Sequence, residues 1–134
     1  MRLVTHDGTF HADEVFCTAL LTILHPDSKV IRTRDIHQFK SDDIIYDVGL
    51  QYDGKNRFDH HQQDDSLQRE NGIPYSAFGL IWKHFGYEYI EKITGLSEIT
   101  GNAQAVWLRM DETLVQAIDA TDNGFPVFFP YEYP

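Results

Sequence analysis

The stretch Arg57-Phe58-Asp59-His60-His61-Gln62 places one carboxylate and two adjacent imidazoles beside a guanidinium. A plain strand or helix has no need of that set. Divalent metals of borderline softness and phosphate chemistry use it well. Three other stretches carry groups of the same kind. They are the turn from His6 through His11 to Asp13 and Glu14, a lone acid, Asp47, behind an apolar run, and a late pair of acids, Asp119 and Asp122. Taken together, the four stretches read as one metal site. Mixed imidazole and carboxylate donors suit Mn, Zn, Fe or Co, whereas an all-oxygen set suits Mg or Ca. Two such ions about 3.5–4 Å apart can activate a water and hold the leaving oxygen of a phosphoester.

Each of these residues also has a plainer reading. His6 could be a turn histidine with satisfied hydrogen bonds. Asp13 and Glu14 favour a helix start through the helix dipole, and His11 could cap that start. Asp47 ahead of Gly49 could close a turn, and His60-His61 could decorate a hairpin. Asp119 and Asp122 could belong to the last turn of a helix, although carboxylates are disfavoured at that end. Arg57 is the cation adjoining these stretches, which makes it the candidate to grip a phosphate. Arg32 and Arg34 follow a strand that could end near the same cleft. Cys17 reads as core, and His25, His37 and His84 lack an acid partner at useful spacing.

The elements that must position these groups follow from hydrophobic periodicity. Arg2 to Thr5 is a short β-type run, and Ala12 to Leu24 has apolar residues at helical spacing before Pro26 stops it. Lys29 to Arg34 is strand-like, Asp35 to Phe39 a short helix, and Ile44-Ile45-Tyr46 a buried strand that delivers Asp47. Tyr52 to Phe58 reads as a hairpin turning at Asp53-Gly54. Pro74 to Phe85 reads as an amphipathic helix, with Pro74 near its first turn and Gly86 at its C-cap. Tyr87 to Thr94 continues as helix to Gly95, and Asn102 to Thr121 is a further helix. Strand, helix and strand in this order predict an α/β domain with a mainly parallel sheet flanked by helices. In such sheets, ligands sit at the carboxyl ends of the strands, where His6, Asp47 and Asp59 would arrive.

Composition narrows the function classes. Across 134 residues there are 11 basic and 21 acidic side chains, for a net charge of −10. A chain this acidic is a poor non-specific binder of nucleic acid. Acids gathered for metals are neutralised when the metals bind, so the global charge does not exclude a phosphoester substrate. No apolar run reaches the length of a membrane span, and the lone cysteine cannot form an internal disulfide. The stretch Met1-Arg2-Leu3-Val4-Thr5-His6 lacks the long apolar region of a signal peptide, which together with the lone cysteine favours a reducing, cytoplasmic setting.

Four segments of the chain resemble the Myg-type proteins, relatives of the DHH phosphoesterase superfamily. They are Thr5-His6-Asp7-Gly8-Thr9-Phe10-His11-Ala12-Asp13-Glu14, Tyr46-Asp47-Val48-Gly49, Arg57 to Gln62, and Ala117 to Gly124. The first and third are long enough to be specific. The resemblance implies a DHH-like domain over residues 1–134 holding two divalent ions, Mn foremost, with Mg, Zn, Co or Fe as alternatives. By position, His6 and His11 would bind the first ion, Asp13 and His60 the second, and Asp47 would bridge both. His61 would lie near the scissile phosphate, Asp59 would ligate or orient an imidazole, and either Asp119 or Asp122 would be the late ligand. Many superfamily members have an acid where His11 stands, a departure that Myg-type proteins share.

DHH enzymes usually close a second domain over the metals, and that domain is expected to be absent from this chain. The function implied is a metal-dependent phosphoesterase, a 3′–5′ exonuclease or nucleotide phosphodiesterase, acting on RNA or short oligonucleotides as a possible homo-oligomer. The rival readings are a non-catalytic metal-binding domain and a metallohydrolase acting on another bond.

Overall fold

The apolar runs form strands where their β-branched residues predict them. In the computed structural model, β1 spans Arg2–Thr5, β2 Lys29–Arg32, β3 Ile44–Tyr46 and β4 Arg57–Phe58. The structure describes residues 1–62, 64–97 and 101–125. The aromatic- and proline-rich stretch that follows Phe125 falls outside the described residues. All three strand pairings are parallel, and the strand order is β2-β1-β3-β4. Leu3 pairs with Val30 on one side and Ile44 on the other, and Tyr46 pairs with Phe58. This register lines up the strand ends, so His6, Asp47 and Asp59 leave the sheet at one edge.

The expected hairpin is present only in part. Tyr52 and Phe58 form a single antiparallel bridge around a turn in which Asp53 Oδ1 accepts from the backbone N–H groups of Lys55, Asn56 and Arg57. The main role of Arg57–Phe58 is to add a fourth parallel strand beside β3.

Helix α1, Ala12–Leu24, begins and ends as its sequence predicts. It carries Cys17, Leu20 and Leu21 into a core shared with Leu3, Tyr46, Phe58, Leu80 and Trp82. Buried Tyr46 keeps its hydroxyl satisfied through Thr18 Oγ1 at 2.6 Å. The next helix departs from expectation in two places. Helix α2 starts at Ala77 rather than Pro74, because Ser76 Oγ caps it by accepting from the Phe78 N–H, and Pro74 instead bridges to Gln68. Gly86 is not a C-cap. Helix α2 runs through it to Thr94, and Gly95 ends the helix at φ 74. Gly86 is where α3, Asn102–Met110, packs most closely: a Cβ there would lie 2.7 Å from the Trp107 ring. Trp107 and Trp82 stack at 6.2 Å, and each indole N–H donates to the other residue's backbone carbonyl.

The last predicted helix contains an irregularity. After α3 the chain makes a π turn over Asp111–Val115 before α4, Gln116–Asp122. A wide turn changes the phase of everything after it. It therefore affects which α4 side chains face the sheet edge and which face the core.

Candidate metal centre

The parallel register brings His6, Asp47 and the Asp59-His60-His61 run together, and α1 and α4 add acids from either side. His6 follows β1. Its Nδ1 faces the Asp7 carbonyl at 2.9 Å, so that nitrogen carries the proton. Its Nε2 then faces Asp47 Oδ2, 3.1 Å away. Asp47 leaves β3 in the left-handed region, at φ 59, and its N–H donates to the Phe58 carbonyl. Its other oxygen, Oδ1, lies 3.1 Å from His60 Nε2. The two oxygens of Asp47 thus address two imidazoles from different strands.

His60 is buried, and its Nε2 also lies 3.1 Å from Asp122 and 3.6 Å from Asp13. Burial alone would lower its pKa, but the hydrogen bonds to Asp122 and Asp47 outweigh that and bring it to about 10. Asp13 sits in the first turn of α1 with no solvent exposure. Burial first, and then the charges of Asp47 and Asp122, push its carboxyl up to about 8. His11 caps the same helix. Its N–H donates to Glu14 Oε1, and its ring lies 5.0 Å from that of His6. Buried Glu14 in turn faces His6 and Arg32.

Asp59 is differently placed. Its Oδ1 accepts from the His60 N–H and from His61 Nδ1 at 2.7 Å, and its Oδ2 accepts from the Leu50 N–H at 2.7 Å. Burial would raise its pKa, but these bonds, His61 first, hold it below the usual carboxylate range. Asp59 is therefore saturated by protein donors and fixes the ring of His61, which stays 50% exposed at the cleft.

Sequence reasoning did not assign a role to Asn123. Its Nδ2 donates to the carbonyls of Tyr75 and Asp119, which turns its Oδ1 toward His60 Nδ1 at 3.3 Å. That contact keeps a proton on His60 Nδ1, as the Asp7 carbonyl does for His6, so that Nε2 is the atom free to ligate a metal once its own proton is lost. The local signal was an amide directly after Asp122.

Two expected residues are not at the cluster. Asp119 is buried one helical turn before Asp122 and faces the core. It accepts from Ser76 Oγ and the Gly79 N–H, and it pairs with Arg69 at 2.7 Å. The late acid that reaches the cluster is Asp122. Arg57 begins β4 and turns to the opposite edge, where its guanidinium donates to the carbonyls of Lys40, Asp43 and Asn56. It is not placed to grip a phosphate.

Among the described residues, three sets of donor atoms lie close enough to share an ion, within 4.8 Å in each set. They are His6-His11-Asp47, His11-Asp13-Asp122 and Asp47-Asp59-His60-His61, linked through His11 and Asp47. A direct test of fit is what the protein leaves unpaired. His6 Nε2, both oxygens of Asp13 and Asp47 Oδ2 are buried without a hydrogen-bond partner. Burying such groups unpaired is costly, and lone pairs that face one another need a shared cation. The donor set therefore fits a borderline divalent ion. Cavities of about 470 and 510 Å³ open on either side, the second bordered by His11 and Asp122.

Comparison with known proteins gives a consistent picture. A family model named for MYG1 exonuclease and described as an uncharacterised protein family (UPF0160) matches residues 2–132. The chain is 38% identical to the human MYG1 exonuclease over 133 residues, covering 92% of this chain and 35% of that protein. It is 35% identical to a MYG1 protein of Saccharomyces cerevisiae over 127 residues, and 36% identical to one of Schizosaccharomyces pombe over 133 residues. These matches cover 38% and 41% of the yeast proteins, so the chain spans 35–41% of the length of these relatives. No solved structure matches it significantly.

Proposed function

The chain belongs to the MYG1 family (UPF0160), and from that premise we propose that it is the metal-holding part of a divalent-metal-dependent phosphoesterase of exonuclease type. The observation that carries this reading is Asp47. Its two oxygens face His6 and His60, and the nearest buried lone pairs have no protein partner. His6, His11 and Asp47 would hold one ion, and Asp13, Asp47, His60 and Asp122 a second, with Mn the first choice. Such ions polarise a phosphoryl oxygen and lower the pKa of a bound water.

The chain's own residues do the rest. Asp59 is a positioning residue that holds His61 Nδ1, so Nε2 of that exposed ring is free to exchange a proton with a substrate oxygen. Asn123 and the Asp7 carbonyl hold the His60 and His6 tautomers that metal binding requires. The substrate proposed is the 3′ end of RNA or of a short oligonucleotide, in keeping with the exonuclease name of the human relative.

Hydrolysis of a short oligoribonucleotide, with and without Mn, tests the reading when metal content is measured alongside. Mn-dependent release of mononucleotides, lost with a blocked 3′ end and lost in Asp47→Asn, is the expected result. Hydrolysis that survives chelation, or a chain that takes up no divalent ion, refutes it.

A further inference from the structure

The cavity of about 470 Å³ beside the cluster is lined by two unlike groups of side chains. One comprises His6, Asp47 and His61. The other is aliphatic, formed by Ile36, Val48 and Leu50, and Arg34 also lines the space. Ile36 is 61% exposed and Leu50 64%, so neither side chain is committed to the core. Leu50 also has φ 57, in the left-handed region that non-glycine residues rarely adopt. Strain of this kind at a cleft points to function when the surrounding structure enforces it.

Asp59 enforces it here. Its Oδ2 accepts from the Leu50 N–H at 2.7 Å, while its Oδ1 accepts from His61 Nδ1 at 2.7 Å. One buried carboxylate thereby fixes Leu50, of the aliphatic group, relative to the imidazole at the cluster.

We propose that Ile36, Val48 and Leu50 form a nucleobase shelf, on which the organic group of the phosphoester lies with Arg34 donating to its polar edge. This rests on the phosphoesterase reading for placing phosphate at the cluster, and it specifies what the phosphate carries. Apolar side chains pack on the faces of a planar heterocycle, whose edge still needs hydrogen-bond partners. A simple alkyl ester would leave the guanidinium without a partner on the ligand, and a second phosphate would face the carbons of Ile36 and Leu50. Arg34 can turn to a ligand because its present partner is Asp7, and both side chains are more than half exposed. Exposed pairs of this kind contribute little.

The test measures equilibrium binding of adenosine 5′-monophosphate and of inorganic phosphate to the whole chain in the presence of Mn. The nucleotide should bind at least about tenfold tighter than phosphate, the scale of burying roughly 60 Å² of apolar surface at about 25 cal/mol per Å². Leu50→Ala and Leu50→Gly should each weaken the nucleotide about tenfold and leave phosphate within about twofold. Leu50→Gly also relieves the backbone, so its melting temperature should hold or rise while nucleotide affinity falls. A nucleotide that binds no tighter than phosphate overturns the shelf, as does an equal loss of both ligands. Hydrolysis of bis(p-nitrophenyl) phosphate reads the reaction separately. Its absence with discrimination intact would refute the phosphoesterase reading alone, and its presence without discrimination would refute the shelf alone.

Discussion

Asp119 and Asp122 lie one turn apart on α4, yet they belong to opposite kinds of buried acid cluster. Asp119 is the centre of a closed network. Ser76 and Gly79 donate to one oxygen and Arg69 pairs with the other, while the same guanidinium makes a bidentate pair with Asp111 in the π turn. Gly79 permits this approach, because a Cβ there would meet Asp119 Oδ2 at 2.0 Å. Asp122 joins Asp13, Asp47 and His60, where acids face acids and both oxygens of Asp13 and Asp47 Oδ2 are buried without a hydrogen-bond partner. Asp119 Oδ2 and Arg69 Nη1 also lack one, but they face each other as an ion pair at 2.7 Å. Burial is similar in the two clusters, but partnership is not. A carboxylate matched by protein donors holds the fold, and a set left open presents a site for a cation from outside.

Breaking the closed network should have the largest effect on the fold. Asp119→Ala leaves Arg69 with Asp111 as its remaining acid and leaves Ser76 and Gly79 without an acceptor, and each buried donor left unsatisfied costs about 1–3 kcal/mol. Chemical denaturation should show that loss with or without Mn. The mirror experiment is Asp13→Asn. In metal-free protein it removes an unpartnered buried carboxyl, so stability should hold or rise. Mn affinity, read by titration calorimetry, should fall by about 100-fold or more. If both variants lose stability equally without metal, the distinction between the clusters fails.

Acidity separates the same two states of the protein. In the metal-free chain, the Asp13 pKa is raised to about 8 and that of His60 to about 10. Both folded values exceed the ordinary ones of 3.8 and 6.5. Their stabilisation is therefore complete below those ordinary values and is lost as pH rises through 8 and then 10. Metal binding runs the other way, because the ligands must be deprotonated. Melting curves in chelator should fall from mildly acidic to alkaline pH, and the increment added by Mn should grow over the same range. A pH-independent increment would count against Asp13 and His60 as ligands.

The contrast between the clusters also shows where the sequence was readable. Strands β1 and β3 and helix α1 follow from local periodicity, and a parallel sheet obliges their ends to share an edge. His6, Asp13, Asp47 and His60 could be placed together on that ground. The choice between Asp119 and Asp122 could not be made, because it depends on helix phase and on partners distant in sequence, Ser76 and Arg69. Arg57 misled for a related reason: two residues before Asp59, at the start of a two-residue strand, it reaches the opposite sheet edge. Gly86 looked like a helix stop because a glycine that ends a helix and one that admits a neighbouring indole look the same until Trp107 is in place.

The smallest expected effect concerns Asn123, which touches both clusters. It donates to the Asp119 carbonyl and presents Oδ1 to His60 Nδ1. Asn123→Ala removes the acceptor that holds the Nδ1 proton, so when His60 loses one proton to a metal the proton that remains is no longer confined to Nδ1, and Nε2 is less available as a ligand. Mn affinity should fall by about 10- to 100-fold, the usual cost of losing such an outer partner. The fold should lose about 1–3 kcal/mol, because two hydrogen bonds to neutral carbonyls and the long one to His60 are removed. Asn123→Asp sharpens the test. It keeps an acceptor for His60 Nδ1 and makes it stronger, while giving up the amide donors to Tyr75 and Asp119. If Asn123 acts by setting the tautomer, Asp at this position restores Mn affinity relative to Ala although it does not restore those donors. If Ala and Asp lose affinity together, and in step with stability, then Asn123 serves the closed network and His60 is held by its carboxylate neighbours alone.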